Sequence, residues 1–199
     1  SNLVNSGTVS GGVGGSAGVG GSGGSTGTSA PGVYVASGSA STITNTGTIT
    51  GGSGSYGIQN AGTISALNNA QAGLTYTGIL PTNYNIIINS PTIFGKLAVT
   101  GGSNSTTFGI YSGSVSGVAA STLAKGAYSS VLSGITSSNL TGATSGNYNG
   151  FTWALSNSSG TIWDLIITGA SVADTQQSLV NTASALQNIR SEERRVGKE

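Results

Sequence analysis

Histidine, cysteine and methionine are all missing from the 199 residues, and charged side chains make up only 6% of them. Without histidine there is no Ser-His-Asp or Cys-His machinery, and most transition-metal sites lose their commonest ligand. Without cysteine there is neither a disulfide nor a thiolate. That suits a chain kept unfolded while it crosses an oxidising compartment. Seven of the eleven charges sit in the last ten residues, so residues 1–189 carry only Lys96, Lys125, Asp164 and Asp174, two of each sign. Such a chain cannot neutralise a row of phosphates, which argues against nucleic acid and anionic membranes as partners. Two isolated carboxylates do not make the close pair that polysaccharide hydrolysis requires. Asp174 is expected to cap a helix and Asp164 to be solvated or paired within a hairpin. No Asp-rich nonapeptide supplies a calcium site. No cofactor, metal or catalytic residue is expected, and the chain is read as a non-enzyme.

What is present instead is glycine, 35 residues of it, with abundant Ser, Thr and Asn and a hydrophobic fraction of 36%. That is too apolar and too neutral for charge-driven disorder. No run of about 18 apolar residues exists to cross a bilayer as a helix. The chain opens at Ser1 without a basic-then-apolar leader, and is expected to be an internal fragment of an exported protein. Residues 190–199, Arg190 to Glu199, break the composition of everything before them. They resemble the in-frame translation of a sequencing adapter and are set aside as an artefactual tail.

A short pattern recurs: apolar, any residue, Asn, small, Gly (once Pro), Thr, apolar. It runs Leu3 to Val9 around Asn5, Ile43 to Ile49 around Asn45 and Gly47, and Ile58 to Ile64 around Asn60 and Gly62, with a looser copy from Ile87 to Ile93 around Asn89. Thr42, Thr44, Thr46, Thr48 and Thr50 alternate with Ile43, Asn45, Gly47 and Ile49, the period of a strand with two distinct faces. Asn followed two places on by Gly marks a bend. Strand, bend and strand repeated with uneven insertions predict an all-β, right-handed parallel β-helix, a solenoid. Asn5, Asn45, Asn60 and Asn89 are expected to stack as a ladder about 4.8 Å per step, as scaffold and not as a site.

Residues 1–73 are thus expected to form Gly/Ser/Thr/Asn-rich rungs, with 10–31 a flexible Gly/Ser excursion. That excursion contains Gly18-Val19-Gly20-Gly21-Ser22-Gly23, a formal match to the dinucleotide fingerprint that lacks its strand, its helix and its acid, so no nucleotide site follows. Residues 74–168 read as a denser β region. Within it Phe151, Trp153 and Leu155, then Trp163, Leu165 and Ile167, alternate about a Ser156–Gly160 turn. This predicts a β-hairpin over 151–168 that covers the open end of the solenoid. Trp153 and Trp163 are expected to be hairpin core and not sugar-stacking platforms. Residues 169–189 read as one terminal α-helix, capped by Ser171 and Asp174, with Leu179, Ala183 and Leu186 on one stripe beside Val180.

The succession of Asn/Gly/Thr-rich rungs, the block Thr92-Ile93-Phe94-Gly95-Lys96-Leu97-Ala98-Val99-Thr100-Gly101, the Trp-bearing hairpin and the helix resembles the C-terminal part of an autotransporter (type V secretion) passenger. The most specific portion runs from Tyr128-Ser129-Ser130-Val131-Leu132 through Asp164-Leu165-Ile166 to Asp174-Thr175-Gln176-Gln177-Ser178-Leu179, and the resemblance covers most of residues 40–189. It implies export to the bacterial cell surface or outer membrane, an autochaperone-like block before the helix, and a linker helix within an outer-membrane β-barrel translocator joined in cis. It also implies host or surface glycans or proteins as contacts. Passengers of this family include enzymes as well as adhesins. The expected function is therefore a non-catalytic, adhesin-like stalk and folding segment, the alternative being a scaffold that presents an upstream passenger enzyme. Ice binding by the threonine array would need the array on successive rungs. The positions around Asn60 are Gly57, Gln59, Ala61, Thr63 and Ser65, which do not continue it.

Overall fold

The computed structural model describes residues 1–17, 25–169, 180–184 and 186–187. The first strands are β1 (Asn2–Asn5), β2 (Thr8–Ser10), β3 (Val33–Val35), β4 (Ala40–Asn45), β5 (Thr48–Thr50) and β6 (Ile58–Asn60). Then follow β7 (Thr63–Asn69), β8 (Leu74–Ile79), β9 (Asn83–Ile86), β10 (Ile88–Ser90), β11 (Ile93–Phe94) and β12 (Leu97–Ser103). The last are β13 (Thr106–Ile110), β14 (Gly126–Ser133), β15 (Leu140–Thr141), β16 (Ser145–Tyr148), β17 (Phe151–Ser159) and β18 (Ile162–Thr168). Apart from a 3-10 turn at Ser137–Asn139, the helical residues among those described are 180–184 and 186–187.

The chain alternates between two large sheets. One has the order β1-β4-β7-β9-β13-β15, parallel throughout. The other has the order β3-β6-β8-β12-β14, also parallel, and continues through β18, β17 and β16 with antiparallel pairing. Each return to a sheet lands beside the previous visit, and β2 with β5 forms a third, two-stranded parallel sheet. Short β-branched segments separated by Asn and Gly produce this pattern, because each segment is long enough for one strand and the bend that follows redirects the chain.

Register turns the alternation of side chains into apolar columns. Leu3, Ile43, Leu67, Tyr84 and Phe108 are successive neighbours in the first sheet. Val33, Ile58, Tyr76 and Val99 line up in the second, as do Leu74, Leu97, Leu132 and Trp163. The interior members of these columns are buried in one continuous core. Each buried Leu, Ile or Val contributes about 1.5–3 kcal/mol.

The Gly/Ser segment is more ordered at its two limbs than its composition suggests. Gly27 N donates to Gly15 O and Ala30 N to Gly12 O, each at 2.9 Å, and Gly52 N reaches Ala30 O at 2.9 Å. Backbone satisfies backbone where side chains are too small to pack. Residues 18–24, which hold the whole of the formal fingerprint, lie outside the described residues.

The hairpin forms with Trp153 opposite Ile167 and Leu155 opposite Leu165, and β18 pairs along the edge of β14. Its reversal is at Gly160 and Thr161, later than the expected Ser156–Gly160 turn, because β17 extends to Ser159. Gly160 supplies the positive φ, 52°, that the tight reversal needs. Of the expected helix, Val180 and Leu186 are more than half exposed, so that part of its apolar stripe is not packed on the sheets. Asp174 and the tail 190–199 lie outside the described residues.

Candidate functional site

The most organised polar feature of the molecule is a file of carboxamides inside the first sheet. Asn5 and Asn45 are register partners, and Asn45 pairs in turn with Asn69. Asn5 Nδ2 donates to Asn45 Oδ1 at 2.9 Å, and Asn45 Nδ2 donates to Asn69 Oδ1 at 3.2 Å. All three are buried. A buried carboxamide left unpaired costs about 1–3 kcal/mol, and here each amide is answered by the next and by neighbouring backbone groups.

Two of the four expected ladder members do not belong to it. Asn60 lies in the other sheet, between Val35 and Gly78 in register, and its Nδ2 donates to the Tyr76 hydroxyl at 3.0 Å and to Ile79 O at 2.6 Å. The Tyr76 hydroxyl also donates to Ile79 O. Asn89 is exposed, in the small antiparallel pair β10–β11. The 15-residue interval from Asn45 to Asn60 carries the chain from one sheet to the other, whereas the return to the same sheet takes 24 residues, to Asn69. What Asn5 and Asn60 share is the local bend: Gly7 N donates to Asn5 Oδ1 at 3.2 Å and Gly62 N to Asn60 Oδ1 at 3.0 Å. Gly47 differs, since its N–H bonds to Asn5 O instead.

The member missed in the sequence is Asn69, followed by Gln71. The pattern demanded Gly-Thr after Asn, which Asn69-Ala70-Gln71 lacks, yet Gln71 N donates to Asn69 Oδ1 at 3.1 Å in the same bend. Gln71 then completes a strand edge with its side chain. Its Oε1 accepts Ile49 N at 2.7 Å, its Nε2 donates to Ile49 O at 3.1 Å, and Asn45 Nδ2 bonds to the same Oε1 at 2.9 Å. One carboxamide thereby stands in for the backbone of a neighbouring strand beside β5.

A second file runs on the opposite face of the same sheet with reversed direction. Asn85 Nδ2 donates to Asn68 Oδ1 and Asn68 Nδ2 to Thr44 Oγ1, both at 2.8 Å. Thr44 is buried, so the threonines at 42–50 are not a uniform exposed array. Opposite Asn85 stands Gly109, and a Cβ there would approach Asn85 Oδ1 at 2.6 Å.

The aromatic end is packed, not presented. Trp153 and Trp163 are each only 8% exposed, which leaves neither ring face free for a sugar. Trp163 Nε1 donates to Ile135 O at 2.8 Å, and Trp153 lies 5.7 Å from the Phe108 ring. Asp164 Oδ1 accepts the N–H of Ser130 at 2.7 Å, where Ser130 takes φ 55° in a register shift of β14. Lys96 Nζ sits 5.0 Å from the centre of the Phe94 ring. Burial pushes the Tyr76 and Tyr84 phenols well above their ordinary value of 10.0, with the hydrogen bonds from Asn60 and Asn69 opposing part of the rise. Among the described residues no three His, Cys, Asp or Glu side chains are grouped to hold a metal ion.

No protein-family model matches the chain, and neither the curated proteins nor the solved structures compared with it give a match. Among the described residues, the carboxamides pair with one another and with backbone groups.

Proposed function

We propose that this chain is a non-catalytic stalk and folding segment of an exported, surface-displayed passenger of the autotransporter type, with adhesin-like contacts made through neutral polar side chains. Its architecture on this reading is a right-handed parallel β-helix whose coils are the successive visits to the two sheets, closed at one end by the Trp-bearing hairpin. The observation that carries the reading is the parallel pairing of each strand with the previous visit in both large sheets, β1-β4-β7-β9-β13 and β3-β6-β8-β12-β14, with β16–β18 turning antiparallel at the far edge. Stacked parallel strands build length from local contacts, and an antiparallel block with buried tryptophans protects an edge that would otherwise invite aggregation. The near absence of charge before residue 190 suits contact with neutral surfaces such as glycans. The β-barrel translocator would follow in cis.

The test places the 189 residues before Arg190 between an export signal and an outer-membrane β-barrel translocator in a Gram-negative host. The expected result is a folded, protease-resistant segment outside the cell, with Trp163→Ala lowering the folded fraction at the surface. Retention of the unaltered segment in the periplasm would overturn the reading.

A further inference from the structure

The dipeptide Asn-Gly occurs once in the chain, at Asn149-Gly150, and it forms the whole of the loop between β16 and β17. Asn149 has φ 46° and Gly150 φ 79°, the doubly left-handed pair that a two-residue hairpin turn demands. Both residues are exposed, and a Cβ on Gly150 would meet nothing within 4 Å. Asn147 and Asn157 belong to the same pair of strands, but their carboxamides are engaged. Asn147 Oδ1 accepts from Thr152 Oγ1 at 3.2 Å, and Asn157 Nδ2 donates to Gly160 O at 2.9 Å. The carboxamide of Asn149 has no such partner among the described residues.

What this turn holds in place is the cover of an aromatic ring. Tyr148 pairs with Phe151, Asn147 with Thr152 and Gly146 with Trp153. A Cβ on Gly146 would come within 3.0 Å of Trp153 Nε1, so the indole lies directly on the glycine and β16 forms one side of its enclosure. The Phe108 ring, 5.7 Å away, forms another. Tyr148 Oη donates to Tyr111 O at 3.1 Å, which ties the turn end of β16 to the chain after β13. Trp153 is buried as a result.

We propose that Asn149 is a self-modification site, a slow chemical clock whose product loosens β16 and uncovers Trp153. The Gly150 nitrogen attacks Asn149 Cγ and forms an N–Cγ bond. The side-chain nitrogen leaves as ammonia, taking the proton that the Gly150 N–H gives up. Glycine permits the close approach because it has no Cβ. Water then opens the cyclic imide. Attack at Cγ restores the original backbone and leaves an aspartate. Attack at the main-chain carbonyl leaves an isoaspartate, whose backbone runs through Cβ and is longer by an atom. An aspartate still suits the turn, whereas the added atom breaks the paired dihedrals on which it depends. Either product adds a negative charge to residues 1–189, which have two of each sign. The chemistry needs only water and is independent of the export reading.

The test incubates the 199-residue chain at mildly alkaline pH beside a synthetic peptide of residues 145–153. Both are sampled by peptide mass mapping and by enzymatic methylation of isoaspartyl groups. Asn149 of the folded chain is expected to gain the mass of a water less that of an ammonia on the timescale of the peptide, ahead of Asn147 and Asn157. As isoaspartate accumulates, tryptophan emission should shift to the red and the amides of β16 should exchange faster, while β4 and β7 keep their protection. Asn149→Gly keeps a pair that suits the turn and removes the reactive carboxamide, so that chain should show neither change. An Asn149 still intact when the peptide or either neighbouring asparagine has converted overturns the proposal, because the folded turn then shields the site. Complete conversion with emission and exchange unchanged overturns it too, as does a red shift of equal size in the Asn149→Gly chain.

Discussion

Asn45 accepts from Asn5, donates to Asn69 and donates to Gln71, with none of its surface exposed. Replacing it by leucine takes one buried partner from each of the Asn5 amide, the Asn69 oxygen and the Gln71 oxygen together. The expected cost is about 2–4 kcal/mol in urea unfolding. Asn89, given the same place by its sequence context, is exposed, and Asn89→Ala is expected to fall within about 0.5 kcal/mol of the parent. Equal losses at the two sites would show that burial does not decide the matter. The tyrosines make a second residue-scale prediction. Tyr76 and Tyr84 keep their protons in the folded state to a pH well above their ordinary value, because burial disfavours the phenolate. A folded-state value above the unfolded one means their contribution is complete below pH 10 and lost as pH rises beyond it. Each tyrosine then removes about 1.4 kcal/mol per pH unit, so urea midpoints should fall steeply above pH 10. Tyr76→Phe should flatten that fall.

At the scale of elements, the sequence disclosed the strands and much of the hairpin, and concealed which strand lies beside which. Alternation around Ile43 and Ile49 and around Trp153 and Trp163 is a local property, and the strands form where it runs. Pairing depends on where the chain comes back. Two like local sequences, around Asn45 and Asn60, fall in different sheets because the chain visits the second sheet before it returns to the first. Asn69 was hidden for the converse reason: its bend is closed by Gln71 N, which no glycine rule detects. The same glutamine settles a question of element edges. Strand β5 has β2 on one side, and on the other the side chain of Gln71 occupies both backbone groups of Ile49. Gln71→Leu keeps the bulk and removes both bonds, leaving a backbone N–H and C=O unpaired. A loss of about 2–3 kcal/mol is expected, with faster hydrogen exchange of the Ile49 amide in particular. An Ile49 amide as protected as before would mean that another group pairs with it.

Across the whole molecule the two ends are built unlike one another. At one, β1, β2 and β3 each have a neighbour on one side only. At the other, β18 adds to β14 with Trp163, Leu165 and Ile167 buried beneath it, and Trp153 reaches Phe108. A stack in which each layer touches mainly its neighbours has stability that varies along its length, whereas a globule with one shared centre opens as a unit. Amide exchange should therefore be fastest in β1, β2 and β3, slowest in β7, β8 and β12, and intermediate in the exposed parts of β16 and β17. The decisive comparison pairs two destabilising changes. Trp163→Ala removes a buried ring at one end, at a cost of about 3–5 kcal/mol, and should speed exchange in β14 and β16–β18 far more than in β1 and β4. Asn5→Ala should do the reverse, speeding β1, β2 and β5 and leaving the hairpin untouched. If either change raised exchange evenly from β1 to β18, the layers would be bound into one cooperative unit, and the stacked, display-rod interpretation would lose its physical basis.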